Sequence, residues 1–261
     1  MPLRQLVRAH RAQQHKFLQE QKILAEDAAG FRTNPRWDLR VAIDRNIIAE
    51  RILGKISDGG YESTEATLLP LLVQPEDSVL ELGAGLGFIA AMLMTHCRPR
   101  AYCAIEADAR LIPLIQRTLD LNNVKGEVEV RNAILTEDAK KLREGSVPFL
   151  VEEEFWESRE SETENGISVE TLSLNELLRE HSISVLIVDI EGGEATLLDG
   201  ADLSAVRAVS LELHPSIIGA AGVQKIFRCL HEGGFVYDIA FSSFGIVTFT
   251  RPSRPRSTVT G

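Results

Sequence analysis

A glycine-rich turn between an apolar strand and an apolar helix constrains the fold of this chain more than any other feature. Ser78–Leu82 is predicted to be a short buried strand, and a helix rich in Ala, Leu and Met is predicted over Phe88–Cys97. Between them lies Gly83-Ala84-Gly85-Leu86-Gly87, whose glycines let the backbone turn sharply and approach a ligand closely. Because free N–H groups at the start of the helix face the same crevice, we predict a cofactor site here.

Strands and helices alternate after this turn. Further strands are predicted at 101–105, 128–130, 185–190 and 206–213, and further helices at 109–121, 194–198 and 217–231. This alternation predicts an α/β fold with a doubly wound, Rossmann-like, mostly parallel sheet. Segments 235–240 and 246–250 flank a turn and predict an antiparallel C-terminal hairpin in that sheet.

The spacing of the glycines discriminates between two classes of cofactor. A dinucleotide fingerprint needs a third glycine three residues after the second, where this chain has Phe88. The pattern Glu81-x-Gly83-x-Gly85-x-Gly87 instead resembles motif I of class I methyltransferases, which use S-adenosyl-L-methionine. The resemblance implies that Gly83, Ala84, Gly85 and Gly87 hold this cofactor, and that Glu81 lies near its amino acid part.

The end of the second strand supplies a candidate for the ribose of the cofactor. The strand ends in Glu106-Ala107, and an acid about 20 residues beyond the glycine loop can accept hydrogen bonds from both ribose hydroxyls. Asp108 is expected to cap the next helix. The resemblance also implies that Ala107 belongs to the cofactor site.

Two residue pairs become candidates through the same resemblance. Asn132 and Ala133 follow the third strand and would lie near the adenine, although Asn132 could equally be a turn residue. Tyr61 and Glu62 precede the helix that leads to the first strand, and would reach over the cofactor. The alternative for Glu62 is an acid that simply begins a helix.

Four spaced elements between residues 170 and 215 resemble a narrower family, the FkbM methyltransferases. The family pattern has a T-L-D-x-L helix start, a K-x-D-x-E-G-x-E strand end, an L-x-G-A helix and an E-x-H strand end. The corresponding elements here are 171–175, 187–194, 198–201 and 212–214. Two positions depart from the pattern, because Ile187 replaces the usual Lys and Ser173 the usual Asp.

Acids and a histidine end the two later strands. Asp189, Glu191, Glu212 and His214 are expected at the sheet edge that carries the glycine loop. Methyl transfer needs an aligned acceptor, and a hydroxyl acceptor gains from a base. His214, Asp189 and Glu191 are therefore the predicted catalytic residues, although Glu191 and Glu194 could merely begin a helix. No dedicated metal site is predicted, but clustered carboxylates could bind Mg²⁺.

Charge and composition limit the partners. The net charge is −10, but residues 1–56 carry +5, so the rest carries −15 and disfavours nucleic-acid phosphates. No run of 18 apolar residues exists, which predicts no membrane span. Three cysteines without metal-ligand spacing favour a reduced, cytoplasmic location. Helices are predicted over 3–27 and 38–56, where they could cover the domain, form a lid or pair two copies into a homo-oligomer.

An acidic segment interrupts the strand–helix pattern. Residues 152–164 contain seven Glu around Phe155 and Trp156. Like charges at this density predict a solvated loop. A long loop could also serve as a flap over the acceptor pocket, with its aromatic side chains facing inward.

The sequence predicts a helical extension at 1–56, a class I methyltransferase domain at 57–251 and a tail at 252–261. The resemblance implies S-adenosylmethionine-dependent O-methylation of a small-molecule acceptor, such as a hydroxyl of a sugar or polyketide. Two alternatives stay open: an N-methyltransferase acting on a protein, peptide or nucleic acid, and a non-catalytic cofactor-binding subunit assembled through residues 1–56. A nicotinamide oxidoreductase is disfavoured by Phe88.

Overall fold

The computed structural model describes residues 3–150, 159–160 and 167–252. Its helices are α1 (Leu3–Ala28), α2 (Glu50–Asp58), α3 (Ser63–Leu72), α4 (Phe88–His96), α5 (Ile112–Leu121), α6 (Ala139–Glu144), α7 (Leu174–Glu180), α8 (Glu194–Leu197) and α9 (Pro215–Glu232). Its strands are β1 (Phe31–Asn34), β2 (Leu39–Ala42), β3 (Ser78–Leu82), β4 (Ala101–Glu106), β5 (Glu127–Asn132), β6 (Ile134–Thr136), β7 (Ser146–Leu150), β8 (Arg159–Glu160), β9 (Ile167–Ser173), β10 (Val185–Val188), β11 (Ala208–Glu212), β12 (Val236–Tyr237) and β13 (Ile246–Thr250).

The central sheet has the order β12-β13-β11-β10-β3-β4-β5. The five strands from β11 to β5 are parallel, while β13 runs antiparallel to β11 and pairs with β12. The predicted α/β class and the antiparallel C-terminal pair are therefore confirmed. Strand β4 follows β3 in the chain and lies on one side of it, whereas β10 lies on the other side of β3. The strand order therefore reverses between β3 and β10. Ligand crevices of open α/β sheets lie at such a point.

Burial on both faces explains why the central strands are almost continuously apolar. Every residue of β3 and β10 is buried, and two apolar clusters cover the opposite faces of the sheet. Side chains alternate along β3, so Leu80 and Leu82 enter one cluster and Val79 enters the other. Glu81 points to the same face as Val79, where the apolar cluster also contains the Tyr102 side chain.

The N-terminal extension is only partly helical. The helix predicted over 38–56 is wrong in its first half, because β1 and β2 form an antiparallel hairpin and helix α2 begins at Glu50. The hairpin is held by tertiary packing, since Leu39 and Val41 are buried and the amide of Ala42 donates to the Thr118 hydroxyl on α5. In α1, the described side chains before Ile23 are exposed.

A second sheet, β6-β9-β7-β8, forms where the sequence analysis predicted no strands. Strand β9 also contains the first half of the T-L-S-L element, so helix α7 begins only at Leu174. Ser173 caps α7, because its hydroxyl accepts a hydrogen bond from the amide of Glu176 at 3.1 Å. The replacement of the family's Asp by Ser therefore keeps the capping function, which both residue types perform.

Several predictions concern segments that the structure does not describe. The acidic segment 152–164 lies outside the described residues apart from 159 and 160, and so does the tail beyond residue 252. The domain boundaries at 56 and 251 stay predictions. Among the described helices, none combines the length and apolar character needed to cross a membrane.

Candidate active site

The glycine loop lies at the reversal point of the sheet and lines a cavity of about 730 Å³. Gly83, Gly85 and Gly87 all have positive φ, between 54° and 83°. At Gly83 a Cβ would stand 1.8 Å from the backbone oxygen of Asp189, so only glycine allows the ends of β3 and β10 to approach. At Gly87 a Cβ would meet Ile115 at 2.9 Å, which explains the tight packing of α4 on α5.

Glu106 ends β4 directly beside this loop. Its carboxylate accepts hydrogen bonds from the amides of Gly85 at 2.9 Å and Asp108 at 2.8 Å. Burial raises the pKa of Glu106 to about 7, against the lowering effect of these amides. The predicted ribose acid therefore lines the cavity, in contact with the glycine loop.

The side chain of Asn132 makes structural hydrogen bonds at the end of β5. Its side-chain amide donates to the backbone oxygens of Glu106 at 2.9 Å and Ala107 at 2.8 Å, which fixes the ends of β4 and β5 together. The side chain does not line the cavity, whereas Ala107 and Ala133 do. Apolar side chains from the second sheet, Val147 and Phe149 among them, form the facing wall.

Tyr61 and Glu62 also line the cavity. The Tyr61 ring is buried and packs edge-on against Phe88, with ring centroids 5.7 Å apart. Glu62 adopts a left-handed backbone conformation, φ 48° and ψ 32°, which costs a residue with a Cβ roughly 1–2 kcal/mol. Strained residues of this kind concentrate at functional sites. Burial and the charges of Glu65 and Glu212 raise the pKa of Glu62 to about 8.

Glu81 does not line the cavity. The residue is 3% exposed, and its Oε2 atom is buried without a hydrogen-bond partner. Burial raises the pKa of Glu81 to about 8. The structure thus places Glu81 behind the glycine loop, in the sheet, and not on the cavity surface where the resemblance would put it.

His214 joins two other predicted catalytic residues at the carboxyl ends of β10 and β11. Its Nε2 atom lies 3.4 Å from Glu191 Oε2 and 3.9 Å from Asp189 Oδ1, and both of those acids line the cavity. Its Nδ1 atom makes a short hydrogen bond with Glu194. Burial alone would lower the pKa of His214, but the bond with Glu194 and the charge of Glu191 outweigh it and raise the pKa.

Asp189 lies between this histidine and the acids of α3. Burial raises the pKa of Asp189 well above its ordinary value, and the charges of Glu62 and Glu212 raise it further. Asp189, Glu212 and His214 also offer ligand atoms within 4.8 Å of one another, so these three side chains could hold a metal ion. A second group with this property, Cys103, Glu129 and His181, lies away from the cavity.

The structure thus brings most of the predicted residues to one cavity. The lining includes these predicted residues: Tyr61, Glu62, Gly83, Ala84, Gly85, Glu106, Ala107, Ala133, Asp189 and Glu191. Four predicted residues lie behind that lining: Glu81, Gly87, Asn132 and His214. Two contributors were missed by the sequence analysis. Glu194 was interpreted as a helix start, and the second sheet, whose alternating pattern in β9 was the available signal, was not predicted.

Comparison with known proteins places the chain in a family. Residues 82–237, more than half of the chain, match the model of the methyltransferase FkbM domain. A comparison with curated proteins gives no match. Solved structures with a similar fold include a precorrin-6Y C5,15-methyltransferase from Geobacter metallireducens GS-15, at 13% identity over 81% of this chain and 93% of that one, with a TM-score of 0.46. Another is P. horikoshii TYW2 in complex with MeSAdo, at 10% identity over 81% of this chain and 66% of that one, with a TM-score of 0.46.

The family assignment rests on the sequence match and not on these distant structures. The matched range begins at the end of β3 and includes the glycine loop, Glu106 and the strand ends that carry Asp189 and His214. The resemblance predicted from the spaced motifs is confirmed: this chain belongs to the FkbM methyltransferase family.

Proposed function

We propose that this methyltransferase uses S-adenosyl-L-methionine to methylate a hydroxyl group of a small molecule. The observation that carries the proposal is a single cavity whose lining has two chemically different parts. The first part is the glycine loop with Glu106, and the second part is Asp189 and Glu191, with His214 behind them. The two parts meet where Gly83 approaches the backbone of Asp189. A cofactor and an acceptor can therefore meet at the reversal point of the sheet.

The residues of the first part fit this cofactor. The backbone of Gly83 and Gly85, both at positive φ, lines the cavity without a side chain, and Glu106 offers a carboxylate for ribose hydroxyls. Ala107, Ala133 and the apolar wall beyond them suit a flat adenine ring. S-adenosyl-L-methionine, when bound, supplies a methyl group on a sulfonium centre. Glu81 does not face the cofactor, since it belongs to strand β3 behind the glycine loop.

The residues of the second part favour an acceptor without phosphates. Glu62, Asp189 and Glu191 line this part of the cavity, and Glu212 lies close to Asp189. These acids supply no positive charge for phosphates, whereas nucleic-acid binding depends on neutralised phosphates. A neutral hydroxyl compound, such as the sugar or polyketide that family resemblance implies, needs no such neutralisation.

The chain's own residues orient the acceptor and remove its proton. The acceptor oxygen forms its bond to the methyl carbon as the carbon–sulfur bond breaks, and the proton left on that oxygen must go to a base. His214 Nε2 lies within 4 Å of Asp189 and Glu191, so a proton taken at the cavity surface can reach the imidazole. Alignment by the cavity walls supplies the larger share of the rate, and the base adds roughly 10²- to 10⁴-fold.

Calorimetric titration with S-adenosyl-L-methionine tests the cofactor assignment. We expect binding by the wild-type protein, strong weakening in Glu106→Ala, and no change in Glu127→Ala, an exposed acid on the neighbouring strand. NAD serves as the competing ligand. Binding of NAD in place of S-adenosyl-L-methionine, or binding that is insensitive to Glu106→Ala, would contradict the proposal.

Formation of S-adenosylhomocysteine with a panel of acceptors tests the reaction. Turnover with hydroxyl compounds, lost in Asp189→Asn, supports O-methylation. Turnover only with amines, peptides or RNA would show that the acceptor belongs to a different class from the one proposed. Cofactor binding without turnover across a panel of all these classes would favour the non-catalytic subunit instead.

A further inference from the structure

The fully buried carboxylate of Glu194 has no direct access to the cavity, yet it contacts His214, the predicted base behind the cavity-lining acids. We propose that Glu194 is a positioning residue that fixes the ring of His214, so that Nε2 is the nitrogen that receives the acceptor's proton from the cavity surface. The inference deepens the proposed function and rests on it, because it assumes that His214 serves the methyl transfer.

The geometry separates the two ring nitrogens of His214. Nδ1 is hydrogen-bonded to Glu194 Oε1, which is an obligate acceptor when ionised, so Nδ1 carries the proton. In the neutral form of the ring, Nε2 is then the unprotonated nitrogen, and it faces the cavity-lining acids Glu191 and Asp189 at 3.4 Å and 3.9 Å. The partner on one imidazole nitrogen determines what the other can do.

An acid that only favours a helix start would be placed differently. Helix α8 has four residues, too few for a substantial helix dipole, and an acid serving that dipole would lie on the surface. The Glu194 side chain is instead 0% exposed and directed at His214. Its second oxygen, Oε2, is buried without a hydrogen-bond partner. Burying a carboxylate is costly unless a positive group compensates, and the imidazolium formed by proton transfer is such a group.

Charged groups from every neighbouring element influence this histidine. Glu194 comes from α8, Asp189 and Glu191 from the segment between β10 and α8, and Glu212 from β11. All are acids, and the hydrogen bond with Glu194 together with the charges of Glu191, Glu194 and Glu212 outweighs the effect of burial and raises the pKa of His214. Among them, Glu194 alone is bonded to Nδ1, so it alone can set both the tautomer and the ring orientation.

Nitrogen-15 NMR of histidine-labelled protein measures the tautomer and the titration of His214 without an acceptor. The chain has six histidines, and His214→Gln identifies the signal. In the wild type we expect a neutral form protonated at Nδ1, with a raised pKa. Glu194→Gln should move this titration to lower pH, because the negative charge is lost, and Glu194→Asp should restore most of it. Glu180→Gln, beside the partly buried His181, is the matched control and should leave His214 unchanged.

An Nε2-protonated neutral form in the wild type would overturn the inference, and so would a His214 titration that is unchanged in correctly folded Glu194→Gln. Calorimetry on the same samples separates this failure from failure of the proposed function. Wild-type protein that does not bind S-adenosyl-L-methionine contradicts the function, whatever the histidine signal shows. With an acceptor in hand, Glu194→Gln should reduce kcat by up to roughly 10²-fold and move the acidic limb of the pH profile downward, with cofactor affinity unchanged.

Discussion

Replacing Glu81 with Gln should stabilise this protein at alkaline pH and have little effect in acid. Glu81 is 3% exposed in the middle of a parallel sheet, with one carboxylate oxygen lacking a hydrogen-bond partner. Burial raises its pKa from 4.5 to about 8. A glutamine has nearly the same shape and carries no charge at any pH, so the substitution isolates the cost of ionising the buried carboxyl group.

The sign and size of the effect follow from the two pKa values. Below pH 4.5 the carboxyl group is protonated in the folded and the unfolded chain, and its ionisation affects neither. Between pH 4.5 and about 8 the folded state binds more protons than the unfolded state, so stability falls as pH rises. Above pH 8 the full difference applies, up to about 5 kcal/mol, which for a chain of this size corresponds to a Tm change on the order of 10 °C.

Thermal unfolding of wild-type and Glu81→Gln protein between pH 4.5 and 9 measures this difference. The Tm curves should nearly coincide at the acidic end and separate steadily as pH rises, with the variant higher. Glu76→Gln, an exposed acid in the turn before the same strand, should follow the wild type throughout. A variant that is equally stable or less stable at pH 9 would show that the Glu81 carboxylate is charged and well compensated, which would refute the reasoning.

Two further predictions concern the glycine loop and the N-terminus. Gly83→Ala should abolish cofactor binding and lower the free energy of unfolding, measured by denaturant titration, by at least about 2 kcal/mol, because its Cβ would overlap the backbone oxygen of Asp189 at a positive φ. Gly54→Ala, where a Cβ meets nothing within 4 Å, is the control and should raise the free energy of unfolding by up to about 1 kcal/mol, because alanine favours helix α2. Deleting residues 1–20 should leave Tm nearly unchanged, whereas deleting residues 1–56 should prevent folding, since it removes buried core side chains. A folded product of the larger deletion would contradict the packing of the hairpin.

The sequence was most informative where local chemistry and chain position coincide. The glycine loop could be predicted because an apolar strand, three spaced glycines and an apolar helix follow one another directly. The strand-end residues Glu106, Asp189 and Glu191 could be predicted because parallel strands bring their carboxyl ends to one edge of a sheet. These predictions need only the order of the elements, and tertiary packing did not change that order.

The errors arose where tertiary packing selects between local alternatives. Val41, Ile43, Ile47 and Ile48 fit a helical spacing, yet the first two positions also fit the alternation of a strand, and contact with α5 stabilises the hairpin. The turn signals Asn34-Pro35 and Asp38, which has φ 53°, mark that hairpin. Short strands of the second sheet depend on pairing with one another and on packing against helices α6, α7 and α8, so their individual patterns are weak.

Residue spacing also gave no direct information about burial. Glu194 and Glu191 look alike in the sequence, as two acids flanking a pair of glycines, and both could begin a helix. The fold separates them, because Glu191 lines the cavity while Glu194 turns inward beneath His214. Only the closure of β10 and β11 into one sheet brings His214 over Glu194, twenty positions away.

The pairing of β3 with β10 places an apolar residue directly beside Glu81. Ile187 on β10 is the direct parallel neighbour of Glu81 and is itself buried, and it occupies the position where the family pattern has Lys. Side chains at paired positions share a face of the sheet, so a lysine there would lie beside the Glu81 carboxylate, one oxygen of which lacks a hydrogen-bond partner. Ile187→Lys should therefore cost about 1–3 kcal/mol less in the wild type than in Glu81→Gln, where the buried ammonium would find no counter-charge. Equal costs in the two backgrounds, measured by denaturant unfolding at pH 8, would show that the two side chains do not interact and that the loss of the lysine is unrelated to the state of Glu81.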